Sequence, residues 1–285
     1  MLKRFVLSRC HAVAALSCVV LAPQLVAQTK SLTRLYEPVI VTAQTLPALT
    51  NDSISVFSAY RYDSYTDQFI RVPFQIDEIN ANGEFLKEDD PKVAIADSND
   101  QVVFMPGDTG DRAPTDKWVE GSANKRLELE ATDPQTNQKG WLYLFRNAVS
   151  IQPVEPYVRY VPGPIGNAGA DTVVGTSYVE AHNSRGWFTD TAIRTSAGGD
   201  GRDILDRQKV RVRGRYLFFD IALPEDTLQF RSVEFGGGPV RLFRKLSMAI
   251  NIAGIIQTDL SFIAQYLPYH TQFGADKAEI PNIAG

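Results

Sequence analysis

The 285-residue chain is 44% hydrophobic and 22% charged, and its formal net charge is −4. Three of its basic residues, Lys3, Arg4 and Arg9, and none of its acidic ones fall in positions 1–27, so beyond them 26 Lys and Arg face 33 Asp and Glu, a net charge of about −7. That excess excludes general attraction to a nucleic-acid backbone, and the length suffices for one large β domain or two smaller ones.

Residues 1–27 read as a secretory signal peptide. The three basic residues precede an apolar run at 12–22, and Leu25-Val26-Ala27 ends on a small residue before Gln28, which predicts cleavage after Ala27. The run is too short to span a bilayer, so no transmembrane segment is expected in the mature chain. Cys10 and Cys18 both fall in the removed part. The mature chain therefore lacks disulfides and thiolate metal sites, which favours a bacterial periplasmic or secreted protein over a eukaryotic secretory one.

Past the signal, strands are predicted at 38–45, 54–60, 69–76 and 101–105, with the Asn80-Ala81-Asn82-Gly83 turn between the last two. The runs at 72–76 and 101–105 are expected to pair. Residues 126–131 and 141–146 alternate and form a predicted hairpin across an eight-residue loop. Four prolines and three glycines at 151–170 predict a linker or crossing loop between an N-terminal β half (28–150) and a C-terminal one (171–285). The second half continues with predicted strands at 172–180, 185–193, 209–213, 216–223, 228–235, 240–252 and 257–264, then an unpatterned tail. The expected fold is all-β: a large antiparallel, supersandwich-like β-sandwich or two packed β halves.

Acidic residues concentrate at the ends of the central pair. Asp97, Asp100, Asp108 and Asp111 have the types that ligate calcium, without the spacing of an EF-hand, and the same residues build solvated turns. The run from Gly198, with Asp200 and Asp203, fits one copy of the G-G-x-G-x-D-x-U-x calcium repeat, which normally works by stacking copies. Asp77 and Glu78 are the first carboxylate pair to consider for acid–base work, although neighbours on a strand face opposite ways. A histidine zinc site would need His182, His270 and a carboxylate such as Glu180. Trp118 and Trp187 sit beside polar loops and are the candidate exposed rings for ligand binding.

The segments Val72-Pro73-Phe74-Gln75-Ile76-Asp77-Glu78 and Asp100-Gln101-Val102-Val103-Phe104-Met105 resemble a stretch found in uncharacterised secreted bacterial β-sandwich proteins, some similar to parts of polysaccharide-utilisation systems. The resemblance covers about 50 residues and implies a β-sandwich in a carbohydrate setting, with no activity. The sequence expectation is thus an exported cell-envelope protein that binds a polysaccharide or similar extracellular ligand without catalysis. The alternatives are a polysaccharide hydrolase or lyase with paired carboxylates, and a structural or outer-membrane component.

Overall fold

The computed structural model describes residues 28–87, 95–122, 125–146, 154–206, 208–209, 211–216, 219–224, 228–252 and 256–278. The predicted signal peptide, the start of the predicted linker and residues 279–285 lie outside them. The fold is all-β: every strand pairing is antiparallel, and no α-helix occurs among the described residues. No helix there is long and apolar enough to cross a membrane.

The N-terminal sandwich packs two sheets. One has β1 (Val39–Thr42), β5 (Gln101–Phe104) and β4 (Phe74–Asp77), in that order; the other has β3 (Gln68–Arg71), β2 (Phe57–Asp63), β7 (Lys139–Arg146) and β6 (Arg126–Thr132). The expected pairing of the two central runs is present, with Phe74 opposite Phe104 and Asp77 opposite Gln101. The predicted strand at 69–76 is in fact two strands in different sheets. Pro73 lacks the amide a continuing ladder needs, so the chain leaves one sheet there and enters the other.

Alternation then decides what each face meets. Val102, Phe104, Phe74 and Ile76 turn inward onto Phe57, Ala59, Leu142 and Leu144. Val103 and Met105 turn outward onto Val240 of the second half. On its far side the β2–β7 sheet buries Tyr60, Tyr62, Trp141, Tyr143 and Phe145. The predicted hairpin is β6–β7, in register from Arg126↔Phe145 to Thr132↔Lys139.

The C-terminal sandwich has β8 (Arg159–Val161), β9 (Thr172–Val174), β10 (Tyr178–His182) and β11 (Phe188–Ile193) in one sheet. Its second sheet is β14 (Leu228–Gly237), β15 (Leu242–Ile252), β16 (Ile256–Tyr266) and β17 (Thr271–Ala278). Strands β12 (Arg211–Tyr216) and β13 (Phe219–Pro224) form a hairpin of their own. Two expectations are corrected here. The proline-rich stretch is not all linker, because β8 lies within it and closes one sheet edge. The tail beyond Tyr266 is not unpatterned, because β17 pairs along β16 from Tyr266↔Thr271 to Leu260↔Ala278.

In β15 and β16 the even-numbered side chains Leu242, Leu246, Met248, Leu260, Phe262, Ala264 and Tyr266 are buried toward the β8–β11 sheet. The odd-numbered ones lie on the opposite face; of these Lys245, Ser247, Ile263 and Gln265 are half-buried, while Phe243, Ala249 and Ser261 are buried.

Candidate functional site

The two halves meet through the polar side chains that alternation leaves on the outer face of β4. Gln75 Oε1 accepts the amides of Val240 (2.8 Å) and Arg241 (2.9 Å), and its Nε2 donates to the Arg241 carbonyl (3.0 Å) and to Asp77 Oδ1 (2.5 Å). Arg241 Nε donates to Asp77 Oδ2 at 2.7 Å, and its Nη2 to Gln101 Oε1 at 2.5 Å. Burial pushes the Asp77 carboxyl up, against the pull of Arg241 and Gln75. A fully paired buried group of this kind fixes one docking geometry.

Beyond β4 the chain turns back as an arm, residues 79–87. Asp100 Oδ1 accepts the Ile79 amide (3.1 Å), Asn80 Oδ1 accepts those of Asn82 (2.9 Å) and Glu84 (3.0 Å), and Gly83 supplies the left-handed position at φ +82°. Leu86 donates back to Glu78 (3.1 Å), and Lys87 pairs with Glu234 on β14 at 2.7 Å. The arm is thereby laid across the outer face of the β14–β17 sheet. A Cβ at Gly236 would fall 2.5 Å from the Leu86 carbonyl, so a glycine is needed for the backbones to approach this closely.

Between arm and sheet runs a trough of about 490 Å³. Its floor is one stripe of the sheet: Glu234, Lys245 and Ile263 stand in a single cross-strand row, with Gly236 and Phe243 in the next. Its walls are Asn80, Glu84, Phe85 and Lys87 of the arm. An adjoining cavity of about 240 Å³, lined by Gln75, Asp77, Glu78, Phe85 and Phe243, continues toward the junction, and a third of about 250 Å³ lies between β14 and the 160–168 loop.

A second polar group lies wholly inside the C-terminal sandwich. Arg244 Nε donates to both oxygens of Asp171 (3.1 and 2.9 Å), and His182 Nδ1 is 2.7 Å from Asp171 Oδ1. Tyr160 donates to Asp171 Oδ2 (2.7 Å), and Tyr266 Oη lies 3.0 Å from His182 Nε2. Glu180 Oε1 is 3.9 Å from the same nitrogen, and its Oε2 accepts from Thr271 at 3.5 Å. Burial raises the Asp171 carboxyl but is outweighed by its bonds to His182 and Arg244, which leave it low. Burial lowers His182 despite Asp171, and the Tyr266 hydroxyl lies within hydrogen-bond distance of both its Nε2 and the Glu180 carboxyl. Burial lifts Glu180 to about 7, against Tyr266, Arg244 and Thr271. With side chains of His182 and Asp171 fully enclosed, the cluster offers a ligand no entry; it is a strut between sheets.

The sequence candidates are scattered. Asp97 and Asp100 cap their own loop: Asp100 accepts the Asp97 amide and Asp97 that of Asn99. At Asp108 and Asp111 a positive charge is already supplied, since Lys30 Nζ donates to the carbonyls of Pro106 (3.3 Å), Gly107 (3.1 Å) and Thr109 (2.8 Å) and its amide to Asp111. Asp108 instead accepts from Tyr157. Asp200 accepts the Arg202 amide, and Asp203 those of Thr191 and Leu205, which ties the glycine loop to β11. Among the described residues no cluster of three or more His, Cys, Asp or Glu could hold a metal. His182 is committed to the strut, and His270 lies beside Gln272 (3.3 Å).

Trp118 is 46% exposed and edge-on to Phe145, away from the trough. Trp187, expected as an exposed ring, is corrected: it is only 3% exposed and packs on Phe262. The Asn183 turn with Gly186 at φ +77° folds the chain back and delivers the indole between the sheets. Asp77 and Glu78 line one cavity after all, because Glu78 lies just past the end of β4, where alternation stops. No sequence pattern singled out the trough residues, beyond the glycine run 236–238 that lets the arm approach the sheet.

No protein-family model, curated protein or solved structure gives a significant match to the chain.

Proposed function

We propose that this is an exported cell-envelope protein that holds a polysaccharide or similar extracellular ligand in the trough between the 79–87 arm and the β14–β17 sheet, without acting on it chemically. One observation supports the reading: a trough of about 490 Å³ whose floor combines apolar Phe243 and Ile263 with polar Lys245 and Glu234. Its size suits a small ligand or a few sugar units, and sugars present C–H faces to apolar surface and hydroxyls to polar groups. Export rests on the reading of residues 1–27.

A second reading has its own observation, the joint presence of Asp77 and Glu78 in the adjoining cavity. Acid–base work needs a carboxyl able to reach a substrate proton. Asp77 is bound on one oxygen by Arg241 and on the other by Gln75, which favours binding over catalysis. The test is calorimetric titration with neutral and acidic oligosaccharides, run beside an assay for new chain ends. Saturable binding without cleavage, lost in Lys245→Ala/Glu234→Ala, supports the proposal. Cleavage abolished by Glu78→Gln would replace it with the hydrolase or lyase reading, and absence of any binding would remove it.

A further inference from the structure

Phe85 overlies Phe243 with ring centroids 3.7 Å apart and planes 19° from parallel. Aromatic pairs favour offset or edge-to-face contacts at about 4.5–7 Å, because their quadrupoles repel when faces coincide. Most other ring pairs among the described residues obey this, as in the 5.0 Å edge contact of Phe69 with Phe145. A similar overlay, Tyr160 on Phe235 at 3.8 Å, is held by the Tyr160 hydroxyl on Asp171. The Phe85 side chain has no such polar anchor; its backbone is bridged to Ile79, and the arm is tied by Ile79 on Asp100, Leu86 on Glu78 and Lys87 on Glu234, while the tip at 81–84 is exposed. Phe243, by contrast, stands on β15 in the interior of its sheet.

The Phe85 ring is also a partition. Both the 490 Å³ trough and the 240 Å³ cavity count Phe85 and Phe243 among their walls, so moving Phe85 alone would join them and bare the face of Phe243. The Arg241 guanidinium lies 5.1 Å from each centroid, within cation–π range, and would remain beside the bared ring. The charges along the trough are balanced, Lys87 and Lys245 against Glu84 and Glu234, with Lys87 paired to Glu234 and Glu84 accepting from Asn80 (3.0 Å). A charged ligand would compete with the Lys87–Glu234 pair; a neutral one would not.

We infer that Phe85 holds the place of a sugar ring: a pyranose unit of a neutral glycan stacks its C–H face on Phe243 beside Arg241 after the Phe85 ring swings away. The inference rests on the trough being a glycan site and goes further in naming the seat, the ligand charge and the residue that competes for it.

The experiment titrates the full chain and its Phe85→Ala, Phe85→Leu and Phe243→Leu variants with cellohexaose, xylohexaose and a hexauronate, with phenol as a bare ring probe. Thermal unfolding checks that each variant is folded. If the seat is filled by Phe85 nine-tenths of the time or more, removing the ring tightens neutral-sugar binding roughly tenfold or more. Phe85→Leu should fall between Phe85→Ala and the parent, and Phe243→Leu should lose the ring-proton saturation transfer. Neutral-sugar binding weakened by Phe85→Ala overturns the inference and leaves the binding function standing. Preference for the hexauronate overturns the neutral-ligand assignment. Phenol bound by Phe85→Ala with no sugar bound by any form overturns both readings.

Discussion

The buried strut makes a signed prediction at Glu180. Burial lifts its carboxyl from 4.5 to about 7, whereas in the unfolded chain it titrates near the ordinary value. Between those two pH values the folded protein holds a proton that the unfolded chain has released, so stability falls as pH rises. The full contribution is present below about pH 4.5 and lost above about pH 7. At about 1.4 kcal/mol per pH unit the window amounts to about 3 kcal/mol. Glu180→Gln keeps the shape of the protonated acid and cannot ionise. It should match the parent within about 1 kcal/mol at pH 4.5 and exceed it by about 2–3 kcal/mol at pH 8. Urea unfolding of both proteins across this range measures the difference, in which the titration of other, uncoupled groups cancels. A stability difference that does not change with pH, or a parent more stable than the variant at pH 8, would refute the reasoning.

Other perturbations test the remaining polar groups. Asp77→Ala leaves Arg241 buried without its carboxylate and should cost about 3–5 kcal/mol, while the double change Asp77→Leu/Arg241→Met should cost much less, read from denaturant midpoints. Lys30→Met strips three carbonyls of their donor and should destabilise by about 1–3 kcal/mol, with no recovery in millimolar calcium. Asp203→Ala releases two amides and should lower stability by about 1–2 kcal/mol equally in calcium and in chelator; a calcium-dependent melting rise in the parent, absent from the variant, would instead place a metal at that loop.

How far the sequence could be read follows from where order comes from. The β4–β5 pair was legible because its runs are rich in Val, Ile and Phe between turn-forming residues, and the β6–β7 hairpin because β6 alternates against an apolar partner across a polar turn. Strand β17 was not. Its only strand formers are Thr271 and Phe273, the latter 40% exposed, and its place is set by the backbone ladder of β16, which no composition announces. The strut escaped for a related reason: Asp171, His182, Arg244 and Tyr266 are far apart in the chain, and only the sandwich brings them together. The acidic loops were noticed for their residue types. What those types do is accept their own backbone amides, which metal-ligand chemistry and turn chemistry predict equally from sequence.

The division of β15 and β16 into two faces separates what can vary from what cannot. Arg244, Leu246, Phe262 and Tyr266 point one way into a close-packed interior, where changes disturb many neighbours. Lys245, Ser247, Ile263 and Gln265, one residue away, point the other way and are half-buried. The same strands can therefore vary at alternate positions while the intervening ones stay fixed. A library randomised at those four sites would sample new surfaces on an unchanged scaffold, and on the proposed reading of the trough it would sample new ligands without refolding.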